Sequence, residues 1–369
     1  MKRIIGFCNL HNSPSLGELT SSRPLASTSF LGRYAFMDFV LSNFANSGID
    51  EVGILVKEHA RSINKHLKFG SSWNINTKTG ARVIMQNEQY YNNPRYNHDI
   101  NNIRNNDWFL FQSKAEYVVI APAHFVMAID YRKVVDAHIA SGADVTLVYT
   151  KADNAKTDFL GCDRLTIYQN TVTNINENKG EKKRADISLE TYVMSREMLE
   201  RILKEVPTIS SLYSLNDYIN YMVKVLQVNA FEHKGYVRCF DSLAHYVEYS
   251  LELLNYSVRQ QLFSPDWPIY TVTHDTPPSK YGENAEVSNS FIANGAVIEG
   301  SVNGSIISRS VVVREGAKVT NSIILTDTII TSDVSLDYCI VDKYARIIHA
   351  RDLRGSDKQP LYIKQGDVV

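Results

Sequence analysis

Apolar and polar residues follow one pattern up to about residue 260 and a different pattern after residue 277. In the first part, short apolar runs alternate with segments whose apolar residues recur at helical spacing. The runs predict buried strands at residues 4–8, 51–56, 117–121 and 145–149. The helical spacing predicts helices at residues 36–47 and 131–141. This alternation is typical of an α/β fold with a mostly parallel sheet, in which ligands bind where the strands end.

Beyond Pro277-Pro278, apolar residues recur every six positions. They form three series in separate registers: Ile292 and Ile298; Ile307, Val313 and Val319; Ile324, Ile330 and Leu336. A period of six fits neither an α-helix nor a two-sided strand, and it predicts a parallel β-helix whose coils stack as a solenoid. An irregular β-sandwich is the alternative. The changes of register at 302–307 and 319–324 predict corners, and the chain divides into an α/β domain (1–260), a linker (261–283) and a β-helix (284–369).

Composition restricts the possible partners. The chain has 369 residues and a net charge of −1, with 44% hydrophobic and 21% charged residues. This balance gives no basis for a nucleic-acid or membrane partner. The N-terminus turns polar within ten residues and no apolar run reaches about 18 residues, so a cytoplasmic protein is expected. The four cysteines are far apart, which suggests neither a zinc site nor a disulfide framework.

Residues 16–49 carry a long motif that resembles the N-terminal signature of the bacterial glucose-1-phosphate adenylyltransferase (ADP-glucose pyrophosphorylase) family. The matching positions are Leu19-Thr20, Arg23, Phe30, Gly32, Asp38-Phe39, Leu41-Ser42-Asn43 and Asn46-Ser47-Gly48. Residues 124–146 and the six-residue repeats also resemble this family, so nearly the whole chain is covered. The resemblance implies a Rossmann-like nucleotidyltransferase domain followed by a left-handed parallel β-helix. The family's reaction converts ATP and glucose 1-phosphate to ADP-glucose and pyrophosphate.

The resemblance places a phosphate-binding loop, G-G-x-G-x-R, on residues 10–15. The residues found there are Leu10, His11, Asn12, Ser13, Pro14 and Ser15. Such a loop binds phosphate through backbone N–H groups, and no glycine is present to let phosphate approach closely. Pro14 has no N–H group at all. The arginine of the loop is Ser15 here, and the lysine of the family's R-x-K-P motif is Leu25, so two cations are lost as well.

The resemblance also locates two magnesium-binding aspartates, and neither is present. The first falls on Ala123, within Ala121-Pro122-Ala123-His124, and the second falls on Cys239. Losing one electrostatic contributor costs about 10²–10³ in rate, and losing several together should leave almost no activity, although such effects are not additive. We therefore expect no catalytic residues and no bound cofactor on this chain, with Mg²⁺ held only by a catalytic partner.

A family member without these residues resembles the GlgD-type subunit, which implies a regulatory role in a heterotetramer with a catalytic GlgC-type subunit. The family's effectors are phosphorylated metabolites, which need cationic side chains. Arg33 matches a basic position of the family, and an anion site and a surface salt bridge are both compatible with it. Arg346, Arg351 and Arg354 are further candidates, although a solvated surface is the commoner role for such residues.

Two other functions fit parts of the sequence. A weakly active nucleotidyltransferase could use Asp241, two residues after Cys239, in a rearranged metal site. A hexapeptide-repeat acyltransferase would need a histidine between coils, but the repeats contain none before His349.

Overall fold

The computed structural model describes residues 2–67, 73 and 81–369. The chain divides into two compact units, each discontinuous in sequence. Unit 1 comprises Met1–Ser13, Met37–Cys239 and Pro265–Tyr270, and unit 2 comprises Pro14–Phe36, Phe240–Ser264 and Thr271–Val369. These units reflect compactness in space, so the linear boundaries at residues 260 and 284 stay a prediction.

The secondary structure before the repeats alternates between strands and helices. The strands are β1 (Ile4–Asn9), β2 (Ser29–Phe30), β3 (Tyr34–Ala35), β4 (Glu51–Val56), β5 (Arg82–Gln86), β6 (Tyr117–Pro122), β7 (Phe125–Met127), β8 (Val145–Ala152), β9 (Asp163–Tyr168), β10 (Thr171–Glu177), β11 (Ala185–Ser195), β12 (Val228–Glu232) and β13 (Val237–Cys239). The helices are α1 (Phe36–Asn46), α2 (Ala60–Leu67), α3 (Asp99–Asn105), α4 (Asp107–Gln112), α5 (Tyr131–Ser141), α6 (Arg196–Ile209), α7 (Leu215–Met222), α8 (Leu243–Glu252) and α9 (Tyr256–Leu262).

Unit 1 is built on a nine-stranded sheet in the order β5-β4-β1-β6-β11-β8-β12-β10-β9. The first four of these strands are parallel, whereas β11 runs antiparallel to both of its neighbours β6 and β8. The predicted α/β fold and its four strands are confirmed, because their apolar runs are buried in the core of this sheet. The parallel strands β1 and β6 end side by side, with Asn9 opposite Pro122.

Helix α5 shows how local sequence sets the ends of an element. It begins after Asp130, whose carboxylate accepts a hydrogen bond from the Arg132 N–H group and so caps the first turn. It ends at Gly142, which adopts the left-handed conformation (φ 63°) common at helix C-termini. The predicted span of 131–141 is confirmed. Among the described residues, no helix is both long enough and apolar enough to cross a membrane.

The repeats of unit 2 form a parallel β-helix with three five-stranded faces. Its strands are β14 (Lys280–Tyr281), β15 (Glu286–Ser288), β16 (Phe291–Ile292), β17 (Val297–Ile298), β18 (Ser301–Asn303), β19 (Ile306–Ile307), β20 (Val312–Val313), β21 (Lys318–Thr320), β22 (Ile323–Ile324), β23 (Ile329–Ile330), β24 (Ser335–Asp337), β25 (Cys339–Val341), β26 (Arg346–Ile347), β27 (Asp352–Arg354) and β28 (Leu361–Ile363). The apolar residues of the six-residue series stack inside, which confirms the predicted solenoid.

The two predicted register changes are corners between strands. Gly304 and Asn321 lie at these corners with positive φ angles of 57° and 46°. Their N–H groups donate to the carbonyls of Ser288 and Asn303 on the preceding coil, so each corner is bonded to the one before it. The corners after β18 and β21 are two residues long, whereas those after β19 and β20 are four residues long, which explains why the six-residue spacing shifts at 302–307 and 319–324.

Candidate functional site

Residues 10–15, which follow β1, occupy the place of the expected phosphate loop, and the backbone N–H groups of the first two are already bonded. The Leu10 N–H group donates to the Leu55 carbonyl (3.1 Å), which extends the pairing of β1 with β4. The His11 N–H group donates to the side-chain oxygen of Asn9 (3.0 Å). A phosphate cradle needs such N–H groups to be available for the ligand. These two are committed to the protein itself.

The His11 side chain is buried and is held in one neutral form by its neighbours. The Asn102 side-chain NH₂ group faces two backbone carbonyls, of Val56 and Met85, and also lies 2.9 Å from His11 Nε2. Since an NH₂ group can only donate, Nε2 accepts, and Nδ1 carries the proton that is donated to the Asn97 carbonyl (3.2 Å). Burial lowers the pKa of His11 to about 3. His11 therefore offers no positive charge to a phosphate.

Asp99, the first residue of α3, fixes the end of β1. Its carboxylate accepts hydrogen bonds from the Asn9 side chain (2.8 Å) and from the N–H groups of Ile100 (2.8 Å) and Leu215 (3.0 Å). Burial raises the pKa of Asp99, whereas these donors act in the opposite direction. All three donors belong to the protein itself, so the carboxylate joins β1, α3 and α7.

A second carboxylate, Glu190, lies at a bulge of β11. The register of β11 against β8 shifts between Ser188 and Thr191, and Glu190 adopts a positive φ of 46°. Its side chain accepts a hydrogen bond from the Asn12 side chain (3.0 Å), and its other oxygen lies 3.8 Å from His124 Nε2. Burial raises the pKa of Glu190 to about 7. Thus the loop after β1 is bonded both to α3 and to β11.

The remaining positions of the expected nucleotide site are also part of the packed interior or of local turns. Leu10, Leu25 and Ala123 are buried apolar residues. The Ser13 hydroxyl is a buried atom with no hydrogen-bond partner, and the Ser15 hydroxyl accepts from the Gly17 N–H group (3.3 Å). No side chain at these five positions carries a charge.

The positions of the two expected metal ligands do not fit magnesium. Mg²⁺ requires oxygen ligands. Ala123 offers only a methyl group, and the Cys239 sulfur lies 3.8 Å from the sulfur of Cys162. Asp241, the residue considered for a rearranged site, is in a 2.5 Å contact with His245 Nδ1 within unit 2. Among the described residues, no group of three or more His, Cys, Asp or Glu side chains is arranged to hold a metal ion.

Unit 2 contains a cavity of about 330 Å³ lined by three arginines. These are Arg33, at the end of the β2–β3 turn, Arg259 on α9, and Arg309 on the β-helix. Its walls also carry His274, Asn294 and aromatic side chains, and no Asp or Glu occurs among the described residues that line it. A pocket with several guanidinium groups and no carboxylate attracts anions, above all phosphate and carboxylate groups.

Two of these arginines are held in place by backbone carbonyls. Arg309 Nη2 donates to the carbonyls of Arg33 (3.3 Å) and Val272 (3.4 Å). Arg259 Nη1 donates to the carbonyls of Leu253 and Leu254, both at 3.2 Å. The Arg33 guanidinium lies 5.9 Å from the Tyr34 ring centre. Because no carboxylate occurs among the described residues that line the cavity, it keeps an electrostatic attraction for an anion.

The three C-terminal arginines do not line this cavity. Arg354 Nε donates to Asp352 (2.8 Å) on an exposed part of β27. Arg351 Nη1 donates to the Ser332 carbonyl (2.7 Å), and Arg346 is exposed on β26. The structure therefore brings only Arg33 of the four candidates together with other cations.

Several residues that the structure places at the two sites were not predicted from the sequence. In unit 1 these are Asn9, Asn97, Asp99, Asn102 and Glu190, and in unit 2 they are Arg259 and Arg309. The asparagine-rich stretch at 97–106 was a visible signal, because so many amides close together are unusual for a helix interior. By contrast, no local pattern identifies Arg259 or Arg309, which are brought to Arg33 from distant parts of the chain.

Comparisons with known proteins agree with this architecture. The nucleotidyl transferase family profile matches residues 15–237, and the profile of the GlmU-like C-terminal hexapeptide region matches residues 276–359. The chain is 30% identical over 358 residues to the glycogen biosynthesis protein GlgD of Bacillus subtilis (strain 168), which covers 95% of this chain and 92% of that protein. It is 33% identical over 310 residues to GlgD of Geobacillus stearothermophilus, covering 83% and 79%. It is 30% identical over 321 residues to the glucose-1-phosphate adenylyltransferase of Clostridioides difficile (strain 630), covering 85% and 82%.

Proposed function

The chain belongs to the nucleotidyl transferase family, and from its similarity to GlgD we propose that it is a regulatory, catalytically deficient subunit in glycogen biosynthesis. In this proposal it binds a catalytic GlgC-type subunit in a heterotetramer and modulates the conversion of ATP and glucose 1-phosphate to ADP-glucose and pyrophosphate. Its contacts with the catalytic subunit would favour one conformational state of that subunit over another, which is a coupling free energy between subunits.

The network around His11 carries the proposal of catalytic deficiency. His11, Asn9 and Asn12 follow or end β1, and their side chains bond to Asn102, Asp99 and Glu190. A nucleoside triphosphate that used this loop would have to displace these hydrogen bonds, and each buried donor or acceptor left unpaired would cost about 1–3 kcal/mol. Without cations in the loop, nothing in it would offset that cost.

A three-way assay tests the proposal. ADP-glucose formation is measured with this chain alone, with the catalytic subunit alone, and with both mixed. We expect background turnover from this chain alone, and a mixture that differs from the catalytic subunit in rate or in its response to metabolites. Robust turnover by this chain alone would refute catalytic deficiency, and a mixture that behaves like the catalytic subunit would refute regulation.

Titration with ATP separates binding from catalysis. If the loop after β1 is closed by its own side chains, calorimetry should show no binding of ATP to this chain at concentrations that saturate the catalytic subunit. The alternative of a weakly active enzyme with a rearranged metal site requires magnesium-dependent ATP binding that D241N abolishes. No contact of Asp241 favours that alternative, since its carboxylate is engaged with His245.

We also propose that the arginine cavity binds an anionic effector, of the class of phosphorylated sugars. The Arg33 side chain is the best position to test, because the Arg309 and Arg259 side chains also support backbone carbonyls. Inorganic phosphate and a hexose bisphosphate should raise the Tm of the protein, and R33Q should reduce that rise. R351Q is the matched control on the exposed surface. Equal rises in both variants would exclude the cavity as the site.

A further inference from the structure

Two buried cysteine side chains of unit 1 lie in direct contact. The Sγ atoms of Cys162 and Cys239 are 3.8 Å apart although the residues are separated by 77 positions in sequence. Cys162 immediately precedes β9, and Cys239 is the last residue of β13. The fractional exposures of the two residues are 7% and 2%. The contact is therefore produced by the tertiary fold alone.

The distance is close to that needed for a covalent bond. A disulfide requires about 2.05 Å between the sulfurs, so the two atoms would have to approach by about 1.8 Å in total. Side-chain rotation at both residues and a small shift of one backbone segment can supply this movement. Cys239 is fixed in β13, where it pairs with Phe125 of β7.

Cys162 lies in the more adaptable segment. It follows Gly161, which has a positive φ of 78°, and a side chain at Gly161 would meet no atom within 4 Å. The Cys162 N–H group makes a long hydrogen bond to the Phe159 carbonyl (3.3 Å), whereas its carbonyl accepts from the Asn178 N–H group at 2.8 Å. The Gly161 N–H group also donates to the Asn178 carbonyl (3.0 Å) and the Asn178 side chain donates to the Phe159 carbonyl (2.9 Å), so the adjustment falls mainly on the Cys162 side chain.

We propose that Cys162 and Cys239 form an oxidisable pair that closes to an intramolecular disulfide when the protein meets a peroxide. Cys162, the more exposed of the two, attacks one oxygen of hydrogen peroxide as a thiolate, which breaks the O–O bond, forms a sulfenic acid and releases water after proton transfer. The Cys239 sulfur then attacks the sulfur of this sulfenic acid, and a second water leaves. In sum, two thiols and one peroxide give one disulfide and two waters.

The other two cysteines provide a contrast within the same chain. Cys8 and Cys339 are completely buried, and burial raises the pKa of Cys8 to about 12 and that of Cys339 to about 11. Because the thiolate is the reactive form, these two thiols should react slowly. The Cys339 thiol also donates to the carbonyls of Leu353 (3.2 Å) and Asp337 (3.4 Å).

Thiol counting and peptide mapping test the pair directly. The full-length reduced protein is treated with a small excess of hydrogen peroxide, then unfolded and alkylated. The number of reactive thiols should fall from four to two, and the intact mass before alkylation should fall by that of two hydrogen atoms. A digest without reductant should link the peptides of Cys162 and Cys239. Reductant should restore all four thiols.

Variants show which cysteines are required. C162S and C239S should each abolish the linked peptide, whereas C8S and C339S should retain it at the wild-type level. In the wild-type protein, closing the bond should also raise the Tm by about 2 °C or more, since it restrains a long loop of the unfolded chain. If a variant folds poorly, the non-reduced peptide map of the wild-type protein alone shows whether Cys162 and Cys239 are linked. Four reactive thiols after treatment, a link through Cys8 or Cys339, or sulfinic acid without a link would overturn the proposal.

Discussion

The end of β1 in unit 1 and the arginine cavity of unit 2 are both rich in polar side chains, but these side chains are satisfied in opposite ways. Around His11, neutral amides and an imidazole bond to each other and to buried carboxylates. Around Arg33, guanidinium groups donate to backbone carbonyls or lie near aromatic rings, and no carboxylate occurs among the described residues that line the cavity. Donors and acceptors that pair with each other leave fewer groups for a ligand, whereas several charges of one sign favour an anion.

Substitutions in the network at the end of β1 should reduce stability more than substitutions around the arginine cavity. Replacing Asp99 by Ala leaves the donors of Asn9, Ile100 and Leu215 unpaired in the interior. We expect D99A to lower the free energy of unfolding by about 3 kcal/mol or more. Chemical denaturation measures this. D153A is the control, because Asp153 forms an exposed ion pair with Arg184 and its loss should cost less than about 0.5 kcal/mol. Similar losses in both variants would show that the network is not stabilising.

The wall of the arginine cavity depends on the tight turn between β2 and β3. Gly32 has a φ of 71°, and a Cβ atom there would lie 3.0 Å from the Ile307 carbonyl oxygen. G32A should therefore cost about 2–3 kcal/mol, from the left-handed conformation and the close contact together. Gly17 also has a positive φ of 60° but has open space around it, so G17A should cost only about 1 kcal/mol. Equal losses of Tm in the two variants would mean that the turn adjusts freely.

Glu190 makes the stability of unit 1 depend on pH. Its folded-state pKa is raised from 4.5 to about 7, so the folded protein holds the proton more tightly than the unfolded chain does. Stability is thus lost as pH rises from about 4.5 to 7. E190Q cannot ionise and should gain about 1–2 kcal/mol relative to wild type between pH 5 and pH 8, allowing for a side chain that is 15% exposed. E181Q, on an exposed side chain, should show a constant difference across this range in melting experiments.

The smallest expected effect is on catalysis. Restoring carboxylates in A123D/C239D should yield no ADP-glucose while residues 10–15 contain no glycine, because the N–H groups of Leu10 and His11 remain bonded within the protein. Pyrophosphate release with ATP and glucose 1-phosphate measures this, and the Tm of the variant shows whether it is folded. Normal turnover would show that the phosphate loop matters less than the metal ligands.

The strands and helices of the parallel part of the sheet were predictable because their apolar runs are continuous and their ends carry ordinary caps. The resemblance of residues 16–49 to the adenylyltransferase family is likewise confirmed by relatives that cover most of the chain. Strand β11 was not predicted, since its bulge between Ser188 and Thr191 interrupts the regular spacing of apolar residues along the strand. The β-helix was predictable from its repeat, because every coil must bury the same positions.

The sequence by itself determined an α/β region, a region of six-residue repeats, and the absence of glycine, arginine, lysine and aspartate from residues 10–15, 25, 123 and 239. These are local properties, because each depends on the identity of a residue within a short motif. Only the tertiary structure decided what replaces them. Hydrogen bonds such as that of His11 with Asn102, the meeting of Arg33 with Arg259 and Arg309, and the contact of Cys162 with Cys239 join residues far apart in sequence. Such pairings arise from the packing of whole elements, which no local pattern encodes.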